Sequence, residues 1–326
     1  MEIFHQPFLL NGMEYFVTCS AGVSVYPEDG EAPEALVKNA DIAMYASKNN
    51  GKNTASFCSQ MIKEDLTEKI ELTNHLYRSL ERKELEVYYQ PQVQINTNKI
   101  VGFEALLRWN HPVKGQLPPG KFISLAEHTR LINPIGKWVL ETACRQIKSW
   151  NSMGLGNPQI AVNVSLIQFL DPDFISTVKE IILETGIDPL SLEIEITESI
   201  AINKSLDIEP ILCTLKEIGL SIAIDDFGTE YSTLARLKTL SIDRIKVDMQ
   251  FVRSISKSEK DDAIVKIIIM LAKKLNLHVI AEGIETESQL DFLSSNECDE
   301  AQGFLFYRPI KARDAETLLL KQKSDG

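Results

Sequence analysis

The feature that most constrains this fold is a regular alternation of short apolar runs with longer helical patterns, which begins near residue 86. Strands are predicted at 86–94, 100–107, 159–164, 191–196, 221–225, 244–248, 277–281 and 301–305. Helices are predicted at 134–150, 172–185, 205–218, 231–238, 258–275 and 286–295, the first two capped by Asn133 and Asp171. Strands that alternate with helices over this length form a parallel sheet, which is either closed as a barrel or open and doubly wound.

The chain is longer than one barrel needs. At 326 residues it exceeds a β/α barrel of about 250 residues, so a smaller N-terminal piece is expected. Residues 13–26 alternate as a strand, and a helical pattern runs from Ala35 to the turn at 49–51. One strand, one turn and one helix cannot enclose a core, so residues 1–59 are expected to be the tail of a domain that continues upstream. Residues 60–84 predict a helix that runs into a barrel domain over 66–326.

Charge and cysteine usage exclude several classes of protein. A net charge of -12 argues against a general nucleic-acid binder, although a small anionic ligand is compatible with it. No apolar run approaches the roughly 20 residues of a membrane span, and the N-terminus lacks the pattern of a secretory signal. The five cysteines are scattered without a CxxC pair and read as free thiols. We therefore expect a cytoplasmic protein whose segment here makes no membrane contact.

Polar residues cluster at the C-terminal ends of the predicted strands. They are Asn163, Glu195, Asp225, Asp226, Lys246, Glu282, Glu285 and Gln302. The run 102–109 adds an acid, Glu104, and a base, Arg108, to a segment that otherwise has the pattern of a buried strand. In a barrel the C-terminal ends of the strands converge on one mouth, where catalytic sites are built. These side chains are therefore expected to be neighbours.

Several of these residues also have a purely structural interpretation. A salt bridge is the commoner reason for an acid and a base such as Glu104 and Arg108 on one segment. Asp225–Asp226 can cap a helix, or the two acids can splay so that one bridges two cations. Glu195 shares a strand face with Glu193, which favours a functional site over an outward-facing acid.

The ligand chemistry points to hard cations. Lys246 lies inside an apolar strand, where a buried cation needs an acid, a metal-bound anion or a phosphate nearby. Carboxylates with an amide oxygen and no Cys or His describe a site for Mg²⁺ or Mn²⁺. The sequence offers more acidic side chains than one metal ion needs as ligands. Paired ions about 3.5–4 Å apart activate water for attack on phosphorus. The residues alone predict a metal-dependent barrel enzyme acting on an anion, with a phosphoester as the favoured substrate.

With these residues in place, the region from about Leu66 to Leu320 resembles the EAL-domain family of cyclic dimeric GMP (cyclic di-GMP) phosphodiesterases. The motifs occur in order and together are highly specific: Tyr89-Gln90-Pro91, Glu104-Ala105-Leu106-Leu107-Arg108-Trp109, Asn163-Val164-Ser165, Glu195-Ile196-Thr197-Glu198-Ser199, Asp225-Asp226-Phe227-Gly228-Thr229, Lys246-Val247-Asp248, Glu282-Gly283-Ile284-Glu285 and Gln302-Gly303-Phe304. The resemblance implies an α/β fold, a modified (β/α)8 TIM-type barrel with an antiparallel first strand. It also implies a homodimer through the barrel that linearises cyclic di-GMP to pGpG in bacterial second-messenger signalling.

The resemblance further implies roles for the matched residues. A pair of Mg²⁺ or Mn²⁺ ions would be held by Glu104, Asn163, Glu195, Asp225, Asp226 and Glu282. Lys246 would hold or polarise the attacking water, with Glu104 and Glu282 also catalytic. The substrate would be bound by Gln90, Arg108 and Gln302. Glu198 would brace the loop after Asp225–Asp226, and Glu285 would support the metal shell.

Residues 1–59 resemble the last third of a GGDEF (diguanylate cyclase) domain. The match rests on Ser20-Ala21-Gly22-Val23-Ser24, Tyr26-Pro27, Ala40-Asp41-Ile42-Ala43-Met44-Tyr45 and Gly51-Lys52-Asn53. The Gly-Gly-Asp-Glu-Phe turn that carries cyclase catalysis is absent from this sequence, so the resemblance implies a partial, non-catalytic α/β fragment.

One departure from the EAL pattern and two other functions stay open. Glu230 stands where the family more often has glycine, and strain there would loosen the loop and slow the enzyme. A non-catalytic cyclic di-GMP sensor that signals to a partner is the main alternative. A divalent-metal lyase or aldolase explains the acids but not Arg108 or the order of the motifs.

Overall fold

The computed structural model describes residues 4, 6–49, 51–203, 206–229 and 234–324. The chain divides into two compact units, Met1–Tyr77 and Arg78–Gly326. Glu230, to which the sequence assigns backbone strain, lies outside the described residues.

The described residues of the N-terminal unit form four short strands and two α-helices. They are β1 (Phe8–Leu10), β2 (Met13–Tyr15), β3 (Ala21–Val23), α1 (Pro33–Asn49), β4 (Ala55–Phe57) and α2 (Gln60–Leu76). β1 and β2 pair antiparallel, whereas β3 and β4 pair parallel. The prediction of one strand over 13–26 is wrong, because residues 16–20 are not in a strand and separate β2 from β3. The helix predicted over 60–84 ends at Leu76 and is followed by turns.

The helix α1 packs directly on β3 through a glycine. A Cβ atom at Gly22 would lie 1.9 Å from the carbonyl oxygen of Ala40, so no larger residue fits this contact. The buried Ser47 hydroxyl donates a hydrogen bond to the Ala21 carbonyl at 2.9 Å and lies 2.8 Å from the Ser56 hydroxyl. One polar side chain of α1 therefore joins both strands of the parallel pair.

The second unit is built on eight strands that close into a barrel. They are β5 (Leu85–Gln94), β6 (Ile100–His111), β8 (Gln159–Asn163), β9 (Leu192–Thr197), β10 (Ser221–Phe227), β11 (Arg244–Val247), β12 (His278–Glu282) and β13 (Glu300–Gln302), and β7 (Gly115–Leu117) is a short hairpin partner of β6. Strand β5 pairs antiparallel with both β6 and β13 and closes the ring, while the other neighbours pair parallel. The predicted modified TIM-type barrel with an antiparallel first strand is confirmed.

Helices connect and surround these strands. They are α3 (Ile123–His128), α4 (Ile132–Ser152), α5 (Leu166–Phe169), α6 (Phe174–Thr185), α7 (Glu198–Ile202), α8 (Glu209–Ile218), α9 (Leu234–Leu237), α10 (Met249–Ser254), α11 (Glu259–Lys274), α12 (Glu287–Ser295) and α13 (Ala312–Ser324). Trp150 of α4 packs against Tyr89 and Phe103, with ring centroids 5.4 and 4.9 Å apart, which fixes this helix on β5 and β6.

Three local predictions are corrected by the structure. Asn133 is not a cap, because α4 begins at Ile132 and the Asn133 amide donates instead to the Asp171 carboxylate. Asp171 does not cap α6 either; Asp173 occupies that position, and its N–H donates to Asp171. The last strand covers 300–302, and the chain turns at Gly303. A Cβ atom at Gly303 would lie 2.2 Å from the Ile284 carbonyl oxygen, so the turn needs glycine to approach that backbone.

The interior of the barrel contains a polar layer near the start of the parallel strands. The Arg244 guanidinium lies 3.1 Å from both Glu193 Oε1 and Glu300 Oε2, and it donates to Gln92 Oε1 at 3.2 Å. Glu193 and Arg244 are buried, so each charge depends on the other for compensation. This lower layer closes the barrel beneath the C-terminal mouth.

Candidate active site

Lys246 is the centre of an upper polar layer, two residues along each strand from the lower one. Its side chain is fully buried, and its ammonium lies among four carboxylates that come from four different strands. The distances from Nζ are 2.7 Å to Glu282 Oε1, 2.8 Å to Glu195 Oε2, 3.1 Å to Asp225 Oδ1 and 3.7 Å to Glu104 Oε1. Acids separated by up to 178 positions in the sequence are thus brought around one cation.

Amide side chains complete this layer. Asn163 Nδ2 donates to Glu104 Oε1 at 2.7 Å, and the buried Gln302 donates to Glu104 Oε2 and, at 3.1 Å, to Gln90 Oε1. Gln90 in turn donates to the Tyr307 carbonyl at 3.0 Å. The carboxylate of Glu104 is therefore held by two amides, which fixes its orientation toward the mouth.

Asp225–Asp226 lies within strand β10, not at the start of a helix. The pairing of β10 with β11 shifts register between Ile224 and Phe227, which is a bulge that changes the direction of the intervening side chains. Asp226 has a φ of 55°, a left-handed conformation that aspartate tolerates better than most residues. Its N–H donates to Asp225 Oδ1 at 2.9 Å. Of the two interpretations from sequence, the structure favours splayed acids over a helix cap.

Glu198 and Glu285 occupy different environments. Glu198 is buried at the start of α7, and its Oε2 accepts a hydrogen bond from the Gly228 N–H at 2.8 Å. This contact joins Glu198 to the backbone directly after the bulge. Glu285 instead carries a carboxylate that is 46% exposed and lies 2.9 Å from Arg253. The structure does not bring the Glu285 carboxylate into the group around Lys246.

Arg108 lies above the layer on β6. Its side chain is half-buried, its NH1 group donates to the Leu107 carbonyl at 2.8 Å, and its guanidinium is 5.6 Å from the ring centroid of Tyr88. Burial lowers the pKa of Arg108 from its ordinary value, and the Glu104 carboxylate opposes that shift. Arg108 is therefore a cation next to the mouth and outside the carboxylate group.

Burial and mutual repulsion change the pKa of the acids. Burial raises the pKa of Glu282 to about 8 although Lys246 opposes the shift, and burial also raises the pKa of Glu195 well above its ordinary value. The pKa of Asp226 rises to about 6 because of burial, then of the Asp225 charge and of Asp248. Burial lowers the pKa of Lys246, but the four carboxylates outweigh it and the net shift is upward. The cluster therefore holds more negative charge than one ammonium can neutralise.

The structure also shows residues to which the sequence analysis gave no role. Asp248 caps α10 through the Gln250 N–H at 2.7 Å and lies close enough to raise the pKa of Asp226. Its position directly after strand β11 was the available signal, because residues that follow barrel strands lie at the C-terminal mouth. Arg244 lies two residues before Lys246 on the same strand and belongs to the lower layer. The two-residue alternation of side chains along a strand therefore does not show which layer a residue belongs to.

The donor set fits divalent hard cations. Ligand oxygens of Asp225, Asp226 and Glu282 lie within 4.8 Å of one another. Buried acceptors at the same level, Glu195 Oε1 and Gln302 Oε1, have no hydrogen-bond partner. Unpaired buried acceptors are costly, and oxygen ligands of this kind suit Mg²⁺ or Mn²⁺. The chemistry of the cluster therefore matches a site for such ions.

Comparison with known families decides the classification. The EAL domain matches residues 73–309, which is most of the chain, and the diguanylate cyclase GGDEF domain matches residues 1–54.

The chain belongs to the EAL-domain family. Its N-terminal unit carries a GGDEF fragment, as predicted, and the predicted family is confirmed.

Named relatives share both parts. The bifunctional diguanylate cyclase/cyclic di-GMP phosphodiesterase MucR of Pseudomonas aeruginosa is 40% identical over 307 residues, which are 94% of this chain and 45% of MucR. The cyclic di-GMP phosphodiesterase PdeR of Escherichia coli is 35% identical over 306 residues, which are 94% of this chain and 46% of PdeR. The chain therefore spans about half the length of these curated relatives.

A solved structure shows the same barrel. The structure described as the PaMucR phosphodiesterase in complex with c-di-GMP has a TM-score of 0.73 and 42% sequence identity, and the match covers 75% of this chain and 99% of that one.

Within the part of the chain that the structure describes, every helix is too short or too polar to cross a membrane.

Proposed function

We propose that this EAL domain is a metal-dependent phosphodiesterase that hydrolyses cyclic di-GMP to linear pGpG. The observation that carries the proposal is the group of carboxylate oxygens around Lys246 at the C-terminal mouth of the barrel. The relatives named as cyclic di-GMP phosphodiesterases and the neighbour solved with c-di-GMP support the choice of substrate. In this proposal residues 1–59 are a non-catalytic GGDEF remnant and the catalytic domain covers residues 66–326, of which 66–77 lie in the N-terminal structural unit.

The six oxygen-bearing residues would hold two Mg²⁺ or Mn²⁺ ions. They are Glu104, Asn163, Glu195, Asp225, Asp226 and Glu282. When bound, such ions lower the pKa of water and neutralise charge on the leaving oxygen. Support comes from Asp225 and Asp226, because consecutive side chains of a regular strand point to opposite faces, whereas here ligand oxygens of both lie within 4.8 Å of each other and of Glu282.

Lys246 orients water and does not act as a base. Because its pKa is shifted upward, it remains an ammonium at neutral pH and can only donate hydrogen bonds. A water beside Nζ would be held against the phosphorus by that donation. Glu282 Oε1 lies 2.7 Å from Nζ, so its carboxylate would border the same water and help to orient it.

Substrate binding is assigned to residues around this layer. Gln90 and Gln302 form one side of the mouth through their mutual hydrogen bond. Arg108 lies higher, where its guanidinium suits the geometry of a phosphodiester. The water would attack one phosphorus in line, and the 3′ oxygen would leave.

The test is direct incubation with cyclic di-GMP and Mg²⁺ or Mn²⁺, followed by chromatography of the products. We expect pGpG to appear only when metal is present. Tight binding of intact nucleotide would instead indicate a sensor. A protein that neither binds nor cleaves it would overturn the substrate assignment. The dimer that the family resemblance implies stays a prediction, which sedimentation velocity would test.

A further inference from the structure

Strands β5 and β6 extend beyond the carboxylate cluster as a long hairpin. They have 10 and 12 residues, whereas β8 and β10 have 5 and 7. Gln90 pairs with Glu104 in the upper layer, and the next inward-facing position along β5 is Tyr88. Glu86 follows and pairs with Arg108. Two residues of a strand span about 7 Å. The inward face of this hairpin, here called the wall, therefore carries charged groups beyond the carboxylate cluster on the side of the mouth.

Lys311 joins the same wall from the segment before α13. The backbones of Ile310 and Tyr89 exchange two hydrogen bonds, with N to O distances of 2.9 and 2.7 Å. This antiparallel bridge places Lys311 beside Tyr88, and strand alternation turns both side chains to the inward face. The side chains confirm the geometry, because Lys311 Nζ lies 2.8 Å from Glu86 Oε1 and 5.6 Å from the Tyr88 ring centroid.

The wall supplies the charge that the substrate needs. Cyclic di-GMP carries two phosphodiester charges, and the cluster with its metal ions has little positive charge to spare for both. The negative charges of Glu104, Glu195, Asp225, Asp226 and Glu282 would be balanced by Lys246 and two divalent ions. Arg108 and Lys311, both 5.6 Å from the Tyr88 ring centroid, add two positive charges at the mouth. One is available for each phosphodiester.

Glu86 holds Lys311 only weakly. The side chains are 32% and 55% exposed, and exposed ion pairs contribute little to stability. The hydrogen bond with Glu86 raises the pKa of Lys311, so the amine stays charged at neutral pH. When a phosphate oxygen takes the ammonium, Glu86 keeps its hydrogen bond from Asn110 Nδ2 at 3.2 Å. Exchange of Glu86 for an anionic ligand therefore leaves no buried group unpaired.

We propose that Lys311 binds the phosphodiester of the substrate that is not cleaved, and that Glu86 competes with the substrate for Lys311. The inference rests on the proposed function. It makes the pair of Glu86 and Lys311 a determinant of substrate affinity outside the metal cluster.

Steady-state kinetics of two variants tests the proposal, because the two substitutions should change KM in opposite directions. Lys311→Met should raise KM about tenfold with kcat within about twofold, because binding made equally in ground and transition states affects KM alone. Glu86→Gln should lower KM about threefold, because it frees Lys311. Added salt should raise KM less steeply in Lys311→Met than in wild type. If the ion pair only stiffens the hairpin, both variants shift KM in the same direction, which overturns the proposal.

A matched control is Lys137→Met. Lys137 lies 3.5 Å from Glu180 in another exposed ion pair, on α4, and its loss should leave KM unchanged. If the wild-type protein cleaves cyclic di-GMP and Lys311→Met has the same KM as wild type, this inference is overturned and the proposed function stays intact. Wild type that neither cleaves nor binds cyclic di-GMP overturns both. If the wild-type protein binds cyclic di-GMP without cleaving it, the dissociation constant should rise in Lys311→Met and fall in Glu86→Gln. Dissociation constants equal to that of wild type would overturn the inference.

Discussion

Replacement of Lys246 by methionine removes the charge from the centre of the cluster while keeping a side chain of similar length. The ammonium is fully buried and lies between 2.7 and 3.7 Å from four carboxylates. Removal of one partner from a buried ion pair costs about 3–5 kcal/mol, because the remaining charge stays uncompensated. We expect Lys246→Met to lose free energy of unfolding in this range at pH 8 without divalent metal.

The loss should depend on pH with a definite sign. Burial already raises the pKa of Glu282 to about 8, and without Lys246 the pKa of this acid and of its neighbours rises further. A native acid with a raised pKa keeps a proton that the unfolded chain releases above pH 4.5. Stability therefore falls as pH rises from about 4.5 through the folded pKa, by up to about 1.4 kcal/mol per pH unit for each proton. The variant should be closer to wild type at pH 6 than at pH 8.

Urea unfolding at pH 6 and pH 8, with and without Mn²⁺, measures both effects. Mn²⁺ at 100 times its dissociation constant stabilises a protein by about 2.7 kcal/mol, and it should bind the variant more tightly because the competing ammonium is absent. The control is Lys216→Met, whose amine lies 2.7 Å from Asp243 in a partly exposed pair and whose loss should cost about 0–1 kcal/mol. The reasoning is refuted if Lys246→Met is as stable as this control at pH 8 or shows no added pH dependence. Turnover of Lys246→Met should fall at least about 100-fold.

Four further outcomes are expected. Glu104→Ala should abolish turnover and retain the fold, as measured by product chromatography and circular dichroism; unchanged turnover would contradict its assignment as a ligand. Mn²⁺ affinity should rise between pH 6 and pH 8 by up to about tenfold per pH unit, because Glu282 and Asp226, with pKa values of about 8 and about 6, must release protons. Calorimetry in two buffers detects these protons, and an affinity that does not change with pH would argue against both groups as ligands. Glu198→Ala should lower kcat and reduce the free energy of unfolding by about 1–3 kcal/mol, because the Gly228 N–H loses its acceptor. Glu198→Gln should be closer to wild type in urea unfolding, and equal losses in the two variants would contradict this account. Arg244→Met should cost about 3–5 kcal/mol in urea unfolding while Mn²⁺ affinity changes little; loss of metal binding would show that the lower layer also shapes the site.

Local capping chemistry was one part of the sequence prediction that failed. Asn133 and Asp171 both have the residue type and the position of helix caps, yet their side chains bond to each other across 38 positions of sequence. The partner of a short polar side chain depends on what packs nearby. Where a cap has no such competitor, as at Ser258 and Thr286, the side chain accepts the expected N–H of the first turn.

Amino-acid order predicted the eight strands and the level of the acids, but it left a closed barrel and an open, doubly wound sheet both possible. Alternating apolar runs specify eight strands, and polar residues near the strand ends specify the mouth, because both signals are local and periodic. The tertiary structure decided which charges meet. Glu193 and Glu195 share a face, as do Arg244 and Lys246, but the register between distant strands assigns one member of each pair to the lower layer and the other to the carboxylate cluster around Lys246. Register is a property of closure of the whole barrel, so local spacing does not contain it.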